Sequence, residues 1–234
     1  MLTTSTKKSS GHYRLRSFVR RDSRLTAAQE RAFVDYYPRF GLQLDSGLPD
    51  QAQVFGRTAP LLLEIGFGYG QSLLECAKVY PDQDFIGVET HKPGIGTLFI
   101  GAQQHELANL RVYYGDVIDV LEKCIPESSL DGVQIFFPDP WPKRRHQPRR
   151  LIQSAFVQLV VTKLKPGGAL HLATDWEDYA VHMMRVLSQE EKLANVAGLH
   201  QFADRSLYRP VVTKFERRAQ SEGRNIWELQ FRKS

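Results

Sequence analysis

The chain has 234 residues, of which 42% are hydrophobic and 24% charged, with a formal net charge of +5. That length and balance suit one domain with a full core and a short extension, and they exclude a disordered or fibrous chain. No apolar run approaches the ~20 residues of a membrane span, and the start Met-Leu-Thr-Thr-Ser-Thr-Lys-Lys lacks the apolar segment of a secretory signal, so a cytoplasmic protein is expected.

Residues 1–12 are polar and read as disordered, within a basic extension covering 1–24 that precedes a single domain over 25–234. A helix is expected at 26–37, stopped before Pro38, and 45–60, rich in Gly, Pro, Asp and Gln, reads as a linker. An alternation then begins. Strands are expected at 61–65, 84–89, 110–115, 133–137 and 169–173, and helices at 71–79, 95–107, 117–124, 151–164 and 176–187. Pro166-Gly167-Gly168 closes the helix at 151–164, and the tail 226–231 alternates Trp227, Leu229 and Phe231 with polar residues, as a strand does. Strands alternating with helices give an α/β fold, a mostly parallel Rossmann-like sheet with helices on both faces. The last strand follows no helix and is expected to run antiparallel at one edge. Cys76 and Cys124 lie in apolar helical patterns and are expected to be buried and reduced; the scattered histidines offer no ligand pair, so no metal site is expected.

In parallel sheets of this kind ligands bind at the carboxyl ends of the strands, near the switch point. Those ends carry acids. Glu64 runs into Gly66-Phe67-Gly68-Tyr69-Gly70, and the next four strands finish at Glu89, Asp116, Asp139 and Asp175. Gly66, Gly68 and Gly70 let the backbone approach a ligand at a helix start. Glu89 suits the two hydroxyls of a ribose, and Asp116 the amino group of a base. A dinucleotide dehydrogenase would need a small residue at position 71, where Gln71 stands, and would bring a pyrophosphate to an acidic rim. A cationic sulfonium suits that rim better, which points to S-adenosylmethionine. Asp116 and Asp175 could also cap the helices that follow them. Glu64, inside an apolar strand, has no such use, and a buried carboxylate needs a partner.

Two stretches concentrate positive charge. Seven Lys/Arg lie between Lys7 and Arg24 against one acid, Asp22, and five more with His146 lie between Lys143 and Arg150 with none. Such patches suggest a polyanion partner rather than a merely solvated surface. The second patch follows Phe136-Phe137-Pro138-Asp139-Pro140-Trp141-Pro142. A rigid acid, an aromatic ring and a basic run are the parts of a nucleobase site beside a phosphate track.

Glu64-Ile65-Gly66-Phe67-Gly68-Tyr69-Gly70, Phe137-Pro138-Asp139-Pro140-Trp141-Pro142-Lys143, Thr174-Asp175-Trp176 and Thr213-Lys214-Phe215-Glu216-Arg217 resemble the bacterial tRNA (guanine-N7)-methyltransferase family, as does Arg16-Ser17-Phe18-Val19-Arg20-Arg21. The likeness runs from about Arg16 to the end. It implies a seven-stranded methyltransferase sheet and methylation of N7 of guanine-46 in the tRNA variable loop. By the same likeness Glu64, Glu89, Asp116 and Asp139 match cofactor positions, with Asp139 also catalytic. Lys143, Asp175, Thr213, Lys214, Phe215 and Glu216 match substrate positions, and Arg145, His146, Arg149 and Arg150 the RNA-contacting run. Pro148 departs from the family, which carries a basic residue there in many members, and puts one phosphate contact in question. A monomer is favoured over a homodimer. The competing readings are an exocyclic-amino methyltransferase on RNA or DNA, which favours Pro-Pro-aromatic where this chain has Asp-Pro-Trp, and a non-catalytic RNA-binding protein on the same fold. A dead site has no need to hold five carboxylates.

Overall fold

The computed structural model describes residues 24–44, 50–205, 209–210 and 212–234, with the backbone only at Lys214 and Phe215. The basic extension up to Ser23, with its family-like stretch from Arg16 to Arg21, therefore lies outside the described residues, as do 45–49 of the expected linker.

The first helix, α1 (Ala27–Phe40), starts at a reciprocal cap: Thr26 Oγ1 accepts from the Gln29 amide at 3.2 Å, and Gln29 Oε1 accepts from the Thr26 amide at 2.9 Å. It does not stop before Pro38. Pro38 sits in the last turn, where a single missing amide bond is offset by burying Phe40 completely against Phe99, ring centres 5.6 Å apart. A two-residue strand, β1 (Gly41–Leu42), follows, and the expected linker contains a short helix, α2 (Gln51–Phe55), capped by Asp50.

The alternation then runs β2 (Leu61–Ile65), α3 (Gln71–Val79), β3 (Asp84–Glu89), α4 (Lys92–Gln104), β4 (Leu110–Tyr114), α5 (Val117–Lys123) and β5 (Leu130–Phe136). It continues with α6 (Ser154–Lys163), β6 (Leu164–Thr174), α7 (Glu177–Ser188), β7 (Leu193–Asn195), α8 (Lys214–Ser221) and β8 (Trp227–Lys233). The sheet order is β1-β4-β3-β2-β5-β6-β8-β7. Strands β1 to β6 are parallel; β8 runs antiparallel to β6, as expected of the last strand, but it follows α8 and lies inside the sheet, and β7, antiparallel to it, takes the edge. The sheet thus has eight strands rather than seven. Pro166-Gly167-Gly168 does not close a helix in a loop: β6 begins directly at Leu164, and the three residues sit in the strand where the register with β5 slips between Leu130 and Gly132.

Strand periodicity divides the core. Leu61, Leu63 and Ile65 join the cluster under α5, α6 and α7, whereas Leu62 faces the cluster formed by α1, α3 and α4. Glu64, two residues beyond Leu62, therefore points to the α3 side. The strand order reverses at β2, which lies between β3 and β5, so the ends of these three strands form the switch-point crevice.

The α4 start is packed hard against the loop after β2. A Cβ on Gly94 would lie 1.9 Å from the Gly68 carbonyl oxygen, a contact with backbone that no rotamer relieves. Gly94→Ala should therefore cost about 1–3 kcal/mol of stability in urea denaturation, as overpacking does. Wild-type stability would mean that the glycine loop retreats without cost.

Candidate active site

Gly66, Gly68 and Gly70 all take left-handed φ, at 72°, 59° and 75°. Residues with a Cβ avoid this region, so the sequence Gly-Phe-Gly-Tyr-Gly is what allows the chain to turn three times between β2 and α3. The loop is tied to β3: the Gly66 amide donates to Val88 O at 2.9 Å and the Gly68 amide to Glu89 Oε2 at 2.8 Å. Glu89 Oε1 accepts from the amides of Thr90 (2.6 Å) and His91 (2.9 Å). Three backbone donors hold this carboxylate in place, and any ligand hydroxyl shares it with them.

Glu64 is 3% exposed, and its Oε2 has no hydrogen-bond partner among the described residues. Burial pushes its carboxyl up to about 8, aided by the nearby Glu89 carboxylate and opposed by the Arg209 guanidinium. Asp116 caps α5, accepting from the Ile118 amide at 2.9 Å. Asp175 is paired with Arg224, which also reaches Glu222 at 2.6 Å.

Asp139 is exposed on a turn between two aromatic residues in left-handed backbone, Phe137 (φ 51°) and Trp141 (φ 45°). Bulky residues adopt this region at a cost of about 1–3 kcal/mol each. Neither deviation could be read from the sequence. A 3-10 turn, Arg144–Arg149, follows. Lys143, Arg145 and Arg149 are exposed on it; Arg149 lies over the Trp141 ring at 5.2 Å, and His146 meets that ring edge-on at 5.8 Å. Local desolvation and the cations Arg149, Arg145 and Lys143 lower the His146 pKa.

Two of the expected RNA- and substrate-contacting residues turn inward instead. The Arg150 side chain is 2% exposed and pairs with Asp178, so a phosphate cannot reach it without breaking that pair. Glu216 is 1% exposed and its carboxylate is taken by Arg205 at 2.9 Å and by Arg209. By the family likeness Arg150 belongs to the RNA-contacting run and Glu216 to the substrate positions; in this structure both side chains are paired within the chain. Neighbours in the chain share polarity, and polarity does not say which side chain folds in. Thr213 stands at the start of α8, its Oγ1 accepting from the Glu216 amide at 3.3 Å. Lys214 and Phe215 follow in the first turn.

Sequence reasoning missed Arg209 altogether. It is 1% exposed, pairs with Glu216 and Glu228, and lies 5.3 Å from the ring centres of both Phe136 and Phe137. These contacts bring Arg209 itself to the end of β5. No motif or spacing marks it. The acids lie at the carboxyl ends of successive parallel strands: Glu89 is bonded to the glycine loop through the Gly68 amide, Glu64 lies near enough to Glu89 for their charges to interact, and the Asp139 turn and basic run lie beyond β5.

A mostly parallel sheet reversing at β2, an antiparallel β8 beside β6, and glycines with carboxylates at the switch point define a Rossmann-like methyltransferase. The sequence model of the family described as "Putative methyltransferase" matches residues 58–229. A tRNA (guanine-N(7)-)-methyltransferase from Alcanivorax borkumensis is 51% identical over 220 residues, covering 94% of this chain and 92% of that protein. One of the same name from Idiomarina loihiensis is 49% identical over 218 residues, covering 93% and 89%. Among solved structures, the 16S rRNA methyltransferase KamB has a TM-score of 0.59 at 16% identity, over 80% of this chain and 94% of that one. TrmN from Thermus thermophilus has a TM-score of 0.52 at 16% identity, over 78% and 47%. At that identity the two structures share the fold alone. The chain belongs to the bacterial tRNA (guanine-N7)-methyltransferase family.

Glu64 makes ligand-free stability depend on pH. Its folded pKa is raised, from an ordinary 4.5 to about 8. Between those values the unfolded chain has released the proton and the folded chain keeps it, so stability falls as pH rises through the window. Glu64→Gln should flatten that fall in denaturation curves taken at about pH 5 and about pH 8. Equal slopes in the two proteins would show that Glu64 ionises in the folded chain without penalty.

Proposed function

We propose that this protein transfers a methyl group to N7 of a guanine in tRNA, the guanine at position 46 of the variable loop, in the cytoplasm. The observation that carries this reading is the contrast across the Asp139 turn, where carboxylates line the switch point on one side and exposed cations line the 3-10 turn on the other. S-adenosylmethionine is the cofactor, and when bound it supplies an electrophilic methyl carried on a sulfonium. The residues fit that group. Glu64 offers a buried carboxylate oxygen with no hydrogen-bond partner among the described residues, suited to a cationic ligand, and the left-handed glycine loop exposes backbone beside it. Glu64, Gly66, Gly68, Gly70, Glu89, Asp116 and Asp139 would hold it.

Guanine N7 carries an in-plane lone pair and no proton, so no general base is needed. The chain's task is alignment and water exclusion. As the methyl is captured, positive charge develops on the purine ring. Asp139 can accept from guanine N1–H and the 2-amino group, pinning the base and stabilising that charge. Asp175, held by Arg224, stands at the end of the next strand as a second acid for the base. Thr213, Lys214 and Phe215 close the acceptor side, and Lys143, Arg145, His146 and Arg149 track the RNA backbone. The likeness to named relatives over more than nine-tenths of the chain supports the choice of tRNA guanine N7 over an exocyclic amine. The working unit of this proposal is the monomer.

Incubation of the purified protein with S-adenosylmethionine and unmodified tRNA, followed by mass-spectrometric mapping of the nucleosides, should give 7-methylguanosine at position 46. Methylation elsewhere, or on an exocyclic amine, would replace this reading. Asp139→Asn preserves shape and removes charge, and the single-turnover rate of methyl transfer should drop about 100-fold or more, with tRNA affinity little changed. A near-wild-type rate would make Asp139 a loop residue and pass the orienting role to Asp175.

A further inference from the structure

The turn that carries Asp139 is held in a shape its residues do not favour, since Phe137 and Trp141 are both left-handed. Such backbone persists only where its surroundings over-determine it. At the Phe137 end, the Phe137 amide donates to Ala173 O at 2.8 Å and Arg209 covers the ring. At the Trp141 end the restraint is Arg150. Its Nε donates to the Pro140 carbonyl at 2.9 Å. That carbonyl shares a rigid peptide plane with the Trp141 nitrogen, so the bond fixes the plane about which Trp141 takes its φ.

The other side of the guanidinium is anchored to α7. Nη2 pairs with Asp178, three residues past Asp175, and the group stacks 4.8 Å from the Tyr179 ring centre. The Tyr179 hydroxyl in turn accepts from the Ile152 amide at 3.2 Å. Asp178 also accepts from Gln147 Nε2 at 3.3 Å, which ties the 3-10 turn to the same point.

We propose that Arg150 is a positioning residue for methyl transfer: it locks the Pro140–Trp141 peptide, and with it Asp139, against the start of α7, so that Asp139 and Asp175 keep a fixed relation. The proposal rests on the reading of the site given above. It requires arginine. A planar fork can donate to a carbonyl and a carboxylate at once while stacking on a ring, whereas an ammonium is a single point.

The test uses the full chain with Arg150→Lys, which keeps the charge and loses the fork. At saturating S-adenosylmethionine and tRNA, the single-turnover rate should fall about 10-fold or more, the scale of a displaced reacting group. The dissociation constants of cofactor and tRNA, and the salt dependence of the latter, should match wild type. Arg149→Ala, from the exposed side of the turn, should instead weaken tRNA binding and flatten the log–log salt slope by roughly 0.7–0.9. Asp178→Asn, whose side chain is 63% exposed and so does not threaten folding, should lower the rate by a smaller factor. Without any substrate, trypsin should nick 143–149 faster in Arg150→Lys than in wild type. That last measurement separates the two ideas. A wild-type protein that methylates nothing in tRNA sinks the functional reading, while faster nicking still shows the lock. An Arg150→Lys protein with wild-type rate and wild-type nicking, or one whose salt slope drops as that of Arg149→Ala does, overturns the proposal.

Discussion

The arrangement of the site depends on one buried cation. Arg209 joins the end of β5, through Phe136 and Phe137, to α8 through Glu216 and to β8 through Glu228, which in turn pairs with His171 of β6. A buried ion pair adds little net stability, because desolvation consumes most of the attraction, but removing one partner is severe. Its value here is placement. With two carboxylates and two aromatic faces around it, the guanidinium has one position open to it, and the segment leading into α8 goes where Arg209 goes. The same cation draws down the pKa of Glu64, so it also conditions the pocket that the strand ends form.

The acids at the strand ends meet different partners. Glu89 is neutralised by three backbone amides, Asp116 by the start of α5, and Asp175 by Arg224. Glu64 has a buried oxygen with no hydrogen-bond partner among the described residues, and burial pushes its carboxyl up to about 8. The acid least satisfied by the protein is the one deepest in the switch-point crevice, where a cationic ligand would satisfy it. Beyond the Asp139 turn the sign of the surface changes, and the exposed cations of the 3-10 turn begin.

Much of this was legible in the sequence where one physical signal dominated. The apolar runs at 61–65 and 84–89 could only be buried strands, and they are β2 and β3 to the residue. The glycines after β2 marked a loop of close backbone approach, and all three take left-handed φ. Signals failed where two terms competed. Pro38 argues for a helix stop, but burial of Phe40 carries α1 past it. β1 and β7 are two and three residues long, too short for any periodicity. Helix α8 is almost wholly polar on its sequence, and tertiary contacts through Glu216 and Ala219, both buried, hold it. In the site, the acids were placed by the strands they follow, while Arg209, Arg224 and the inward turn of Arg150 depend on contacts between segments that no local pattern encodes.

Arg149 and Arg150 show how far that limit reaches. They are adjacent, identical in chemistry, and opposite in destination. Arg149 lies outside, over the Trp141 ring, while Arg150 lies inside, over Tyr179 and bonded to the carbonyl before Trp141. Between them they hold Trp141 by its ring on the solvent side and by its peptide on the core side. The basic run is therefore two devices joined by one peptide bond, an outer cation exposed to solvent and an inner one bonded to the backbone of the Asp139 turn. Whatever engages Arg149 from outside bears on the ring whose backbone Arg150 holds, so the cationic surface and the Asp139 turn are mechanically joined.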